Sequence, residues 1–151
     1  MTRHVVLDSA ALSAVSSPTQ GTDQVAVSKW ITQLQAAGHK IYIAEVIDYE
    51  LRRELIRAGK TSSVLILDGL KKRFRYTKIT TEAMLLAADL WAAARRGGFA
   101  TAHPERLDVD VILAAQALLL PVPPGSLIVA TSNVRHLSRF VAADEWQNIH
   151  P

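Results

Sequence analysis

HVVLDS, His4–Ser9, is the stretch that decides the fold. His4 to Leu7 is a short apolar run of the kind a buried strand makes. It ends at Asp8, with Ser9 placed to open a helix. An acid in comparable surroundings recurs twice, in IDYELRREL around Glu50 and in LDVDVILAAQA around Asp110. Each carboxylate falls where a strand gives way to a helix, or in a helix otherwise apolar on its inner side. An acid beside a core is costly to ionise unless a cation meets it. Three of them, far apart in sequence, point to one shared cation.

Outward from His4–Ser9 the pattern repeats. Residues 16–23 (SSPTQGTD) have loop chemistry, Val25 to Ala37 reads as a helix stopped by Gly38, and Ile41 to Ile43 as a second strand. Val46 to Ala58 is a helix ended by Gly59, Ser62 to Leu70 another, and Arg75 to Ile79 a strand. Thr80 or Thr81 caps an alanine-rich helix that stops before Gly97 and Gly98. A loop is expected from Phe99 to Leu107, a helix from Val109 to Leu120, and a last core strand from Leu127 to Ala130. Alternation of strands and helices predicts an α/β fold, a central, mainly parallel sheet flanked by helices on both faces. Sites in such sheets form beyond the carboxyl ends of the strands. Asp8 follows the first strand, and Thr131-Ser132-Asn133 follow the last.

The 151 residues fit one domain, which we expect to span 1–151, and that size allows roughly 70% of the unfolded surface to be buried. With 49% hydrophobic and 21% charged residues the balance is globular. The absence of cysteine excludes disulfides and thiol nucleophiles. MTRHVVLD reaches an acid too soon for a signal peptide, so a cytoplasmic location is expected. Val111 to Ala130 is uncharged and long enough for a membrane span, but Pro121, Pro123, Pro124 and Gly125 break it into helix, loop and strand. No membrane partner is expected. The net charge of +3 gives modest support for an anionic ligand.

Each acid has a plainer reading beside the functional one. Asp8 could simply cap its helix. Ile47, Leu51, Leu55 and Ala58 form an inner stripe with Glu50 on its margin and Glu54 closer still. Arg53 and Arg57 are available to Glu54, which leaves Glu50 as the ligand. Glu45 and Asp48 read as helix N-terminal acids that complement the dipole. Of Asp108 and Asp110, the first is expected as an N-cap and the second in the first turn. Lys71 to Arg73 read better as the basic end of a helix, with Phe74 in the core, than as an RNA-binding run. Arg135 and His136, just past Asn133, are better phosphate candidates. Trp30 and Trp91 are taken as packing residues.

HVVLDSAALS, IDYELRRELIRAG, LDVDVILAAQA and LIVATSNVRHLSRF, in that order, resemble the four motif regions of the PIN domain family. These are metal-dependent nucleases, many of them VapC-type toxins of bacterial toxin–antitoxin pairs. The resemblance runs from about His4 to Phe140. It implies a single PIN-like domain with a catalytic set of Asp8, Glu50, Asp110 and Asn133. Asp8, Glu50 and Asp110 would ligate Mg²⁺ or Mn²⁺, and Thr131, Arg135 and His136 would meet substrate. It implies endonucleolytic hydrolysis of RNA, and as partners a protein antitoxin and a second copy of the chain. The motif Thr131-Ser132-Asn133 carries Asn where the family has Asp or Asn, so the charge of a fourth carboxylate is missing, and Asp108 is the one nearby acid that could replace it. The competing expectation is an inactive PIN-like module that binds RNA or a protein without cleaving. A haloacid-dehalogenase-like phosphatase would show a second Asp two residues after the first, and here Ala10 stands there. A receiver domain would need paired acids and a late Lys that the chain does not offer.

Overall fold

The computed structural model describes residues 1–98 and 104–151. The chain runs β1 (His4–Leu7), α1 (Ser9–Ser16), α2 (Thr22–Ala36), β2 (Lys40–Ala44), α3 (Glu45–Arg57), α4 (Thr61–Arg73) and β3 (Arg75–Thr77). It continues through α5 (Thr81–Arg96), α6 (Pro104–Leu118), β4 (Leu127–Ala130), α7 (Val134–Leu137), β5 (Ala143–Asp144) and a short 3₁₀ turn at Trp146–Asn148. The five strands form one sheet in the order β3-β2-β1-β4-β5, and every neighbouring pair is parallel. Successive strand residues point to opposite faces, yet Val5, Val6 and Leu7 are all buried, as are Ile41 to Ala44. Helices therefore cover both faces, as the strand–helix alternation predicts.

Chain direction across the sheet reverses between β1 and β4, because β2 and β3 lie to one side of β1 and β4 and β5 to the other. Such a reversal opens a crevice at the carboxyl ends of the two central strands. Register sets what faces it. Leu7 pairs with Ala130, and the Asp8 amide donates to the Ala130 carbonyl at 2.9 Å. Asp8 and Thr131, 123 residues apart, are thereby next to each other.

Helix ends follow local chemistry. Gly38 (φ 88°) and Gly59 (φ 69°) take the left-handed backbone that ends α2 and α3. The Thr80 hydroxyl accepts from the Ala83 amide at 3.0 Å and caps α5. The strand expected to reach Ile79 stops at Thr77, because the Ile79 amide donates to the Glu45 carboxylate at 2.8 Å instead of to a neighbouring strand. Strand β5 was not expected; two residues are too few to show a periodicity.

The larger correction concerns α6. Of the loop expected over Phe99–Leu107, residues 99–103 lie outside the described residues. Residues 104–107 are helical, with Pro104 at the first position, where its missing N–H costs nothing. Asp108 is therefore no N-cap, and Asp110 lies in the second turn, not the first. On α5, Ala83, Ala87 and Ala94 are buried against Leu107, Val111 and Ala115 of α6, so the small-residue face packs within the chain. Among the described residues no helix is long and apolar enough to cross a membrane.

Candidate metal centre at the ends of strands β1 and β4

Asp8 is 3% exposed and uses both oxygens. Oδ1 accepts from the Ser9 amide at 2.7 Å and caps α1, while Oδ2 accepts from the Thr131 hydroxyl at 2.6 Å. The capping expectation holds, and the same carboxylate also reaches the residue that follows β4. Thr131 Oγ1 in turn accepts from the Asn133 amide at 2.9 Å. The Asn133 side-chain amide donates to Asp110 Oδ2 at 3.4 Å. A continuous chain, Asp8–Thr131–Asn133–Asp110, ties the end of β1 to the interior of α6.

Asp110 is 2% exposed. Burial first, then the negative charges of Asp8 and Glu50, push its pKa up to about 6, against opposing pulls from Arg106 and Arg139. That balance places the three acids in one electrostatic neighbourhood although they come from β1, α3 and α6. Glu50 is 13% exposed in its side chain and pairs with Arg106 at 3.7 Å. Glu54 is on the solvent side, paired with Arg57 at 2.8 Å. Its expected place nearer the core is wrong, and Ala58 is likewise exposed rather than part of the inner stripe. Glu54 is thus a surface ion-pair partner within α3, while the less exposed Glu50 is turned toward α6.

The other expected contributors fall outside. Asp108, two residues and about 200° around α6 from Asp110, is exposed and lines a groove with Met84, Ala87 and Trp91. It adds no charge to the acid cluster. Asp48 is buried and accepts from Arg52 Nε at 2.9 Å and the Tyr76 hydroxyl at 2.7 Å, with Lys71 Nζ at 3.2 Å. Burial works against its ionised form, but these three donors together hold its pKa below the ordinary carboxylate range. Burial and the Asp48 charge push the Tyr76 hydroxyl pKa upward, so it stays a donor. Arg52 also reaches Asp68 at 2.8 Å, and its Nη2 is buried without a hydrogen-bond partner among the described residues. This is a structural network, as is the Glu45 contact to Ile79. Lys71 stacks over Tyr76, and Phe74 is buried, as the plainer reading of the basic run expects.

Arg135 is exposed and His136 meets Arg139 at 3.4 Å; neither makes a hydrogen bond or ion pair to the three acids among the described residues. The cations that act on Asp110 are Arg106 and Arg139, neither of which the sequence singled out. Arg106 stands four residues before Asp110, a spacing that puts both on one helix face, which is the signal that could have found it. Trp30 is buried and donates to the Ile149 carbonyl, but Trp91 is 40% exposed with Arg95 over its ring, so it is not the packing residue expected.

The donor set fits a hard divalent cation in kind: carboxylate and amide oxygens, with no cysteine and no histidine bonded to them. Burial is the first cause of the raised Asp110 pKa, and the charges of Asp8 and Glu50 add to it. Among the described residues no three acid or histidine side chains are gathered into a ready-made cage. Glu50 is instead turned to Arg106.

No protein-family model matches the chain, and no curated protein matches it in sequence. Solved structures match it along nearly its whole length. A chain of VapBC2 from Rickettsia felis, bound to a DNA fragment from its promoter, is 13% identical, covers 95% of this chain and 98% of its own, and gives a TM-score of 0.67. FitAcB from Neisseria gonorrhoeae is 21% identical, covers 96% and 99%, and gives 0.68. DNA-bound VapBC from Salmonella typhimurium is 13% identical, covers 97% and 99%, and gives 0.59. At these identities what is shared is the fold. The chain has a PIN-like α/β fold of the kind found in VapBC and FitAcB structures.

Proposed function

We propose that this chain is a Mg²⁺- or Mn²⁺-dependent ribonuclease that hydrolyses phosphodiester bonds endonucleolytically, and that it acts in the cytoplasm as the toxin of a toxin–antitoxin pair. The observation that supports the catalytic part is the carboxylate of Asp110, its pKa raised to about 6 by burial and then by the charges of Asp8 and Glu50, beside the ends of the two central strands. The antitoxin partner is supported by the two-component complexes, VapBC and FitAcB, that share the fold. A second copy of the chain is also a fitting partner: Met84, Leu85 and Trp91 leave an apolar face on α5 exposed.

Asp8, Glu50 and Asp110 would hold the ion. Once bound, it would supply an activated water and charge for the phosphate oxygens. Thr131 fixes the Asp8 carboxylate through its hydroxyl, and because that hydroxyl also accepts from the Asn133 amide, its proton is directed to Asp8. Asn133 steadies Asp110 without adding charge. Burial of Asp8 and Asp110 keeps bulk water from screening them, so their attraction for a cation is strong.

Asn133 in place of a fourth carboxylate favours one rival, a PIN-like module that binds RNA or a protein without cleaving. Cleavage of a mixed pool of transfer and ribosomal RNA separates the two. It is run in Mn²⁺, in Mg²⁺ and in EDTA, with Asp110→Asn purified in parallel. Metal-dependent cleavage that the variant lacks is the expected result. RNA bound equally well in EDTA, and left intact in every condition, establishes the rival.

A further inference from the structure

Arg106 sits where a cation is wanted. Its Nη1 is 3.7 Å from Glu50 Oε2, and it is the leading positive influence on Asp110, one turn further along α6. It thus pairs with Glu50 of α3 and shares a helix face with Asp110, four residues on. The side chain is 42% exposed, in contrast to the buried Asp8 and Asp110. A guanidinium carries five N–H donors in a planar fork, and the contact with Glu50 engages one nitrogen at ion-pair distance. Among the described residues Arg106 makes no other ion pair or hydrogen bond, so the remainder of the fork is open to a second acid group. Phosphate is the acid group a guanidinium matches best, through two parallel hydrogen bonds.

We propose that Arg106 is a stand-in cation for the metal-free site and a phosphate-binding residue of the RNA-bound one. It neutralises Glu50 while no divalent ion is present. When the ion claims Glu50, Arg106 is released toward solvent at the mouth of the site, where the RNA backbone arrives. The two roles exclude each other in time because they use the same guanidinium, and the proposal rests on the nuclease reading given above. It makes ion and substrate binding cooperative: each bound partner removes the other's competitor for Glu50 or for Arg106.

Two opposite changes follow from one substitution. In Arg106→Gln the ion no longer competes for Glu50, so Mn²⁺ binds about 5-fold to 10-fold more tightly by calorimetry or by electron paramagnetic resonance. The same variant binds single-stranded RNA about 10-fold more weakly when Ca²⁺ replaces Mn²⁺ to hold back cleavage, a loss on the scale of one charge-assisted phosphate contact. Arg106→Lys, which keeps the charge and loses the fork, retains the wild-type Mn²⁺ affinity and only part of the RNA affinity. In EDTA, where Glu50 retains Arg106, RNA affinities of wild type and Arg106→Gln differ less than in Ca²⁺. Unchanged or weakened Mn²⁺ binding in a folded Arg106→Gln overturns the stand-in role. RNA affinity unchanged in Ca²⁺ overturns the phosphate role. Wild-type protein that binds no Mn²⁺ at all brings down the metal-site reading itself, which is a distinguishable failure.

Discussion

Replacing Asp110 with Asn should make the metal-free protein more stable and the metal-loaded function worse. In the folded chain Asp110 ionises near pH 6, whereas its ordinary value is 3.8. The folded state thus holds the proton more tightly than the unfolded state does. Stability is fully present below about pH 4 and falls as pH rises through the window from about 4 to 6. Just over two units at about 1.36 kcal/mol each amounts to on the order of 2–3 kcal/mol lost at neutral pH. Asparagine has the same shape, cannot ionise, and can still accept from the Asn133 amide. Thermal melts in EDTA at about pH 4, 5, 6 and 7.5 test this, read as the difference between variant and wild type. That difference should be small at the acid end and reach about 5–10 °C in favour of the variant at the neutral end. Added Mn²⁺ should raise the wild-type Tm and leave the variant unmoved. A variant no more stable than wild type at pH 7.5 in EDTA would refute the argument that Asp110 is held ionised at a cost.

Three further outcomes are expected. Asn133→Asp sets a new carboxylate beside Asp110, so it should lower the Tm in EDTA and tighten Mn²⁺ binding, both readable on one protein preparation. Thr131→Val removes the donor to Asp8 and the acceptor of the Asn133 amide; a loss of about 1–3 kcal/mol in urea unfolding is expected, with Mn²⁺ affinity reduced as well. Tyr76→Phe takes one donor from buried Asp48 and should cost about 1–2 kcal/mol in the same assay without altering Mn²⁺ affinity, because that network is structural.

What the sequence makes legible and what it does not divides along physical lines. Asp8 and Thr131 could be placed because each follows directly on a short apolar run, and strand ends in a parallel sheet share one edge. The helical wheel puts Glu50 on the margin of α3, as observed, yet puts Glu54 too near the core, because a wheel does not show which side of α3 its neighbours cover. For Asp110 the sequence shows an acid in a helix otherwise apolar on its inner side but not its turn within that helix. Two glycines, Gly97 and Gly98, followed by a mixed polar stretch hide the start of α6, and Pro104 reads equally as loop or as first helical residue. Asp108, expected as the N-cap and as the acid that could replace the missing charge, is exposed beside α5. Arg106 and Arg139 were invisible as site residues because their meaning depends on which acids the fold brings to them. The Asp48–Arg52–Tyr76 network escapes for the same reason: of the two acids read as dipole partners, Asp48 is held by side chains and Glu45 by the Ile79 backbone amide.

The central claim is that the carboxylate following β1 and those in α3 and α6 act on one divalent ion. The most direct test is Mn²⁺ titration of wild type, Asp8→Asn, Glu50→Gln and Asp110→Asn, followed by the three paired variants. Each single substitution should weaken binding at least about 10-fold, and the pairs should lose less than the sum of their parts, because ligands of one ion are coupled. Two of the three single variants binding Mn²⁺ as wild type does would contradict it.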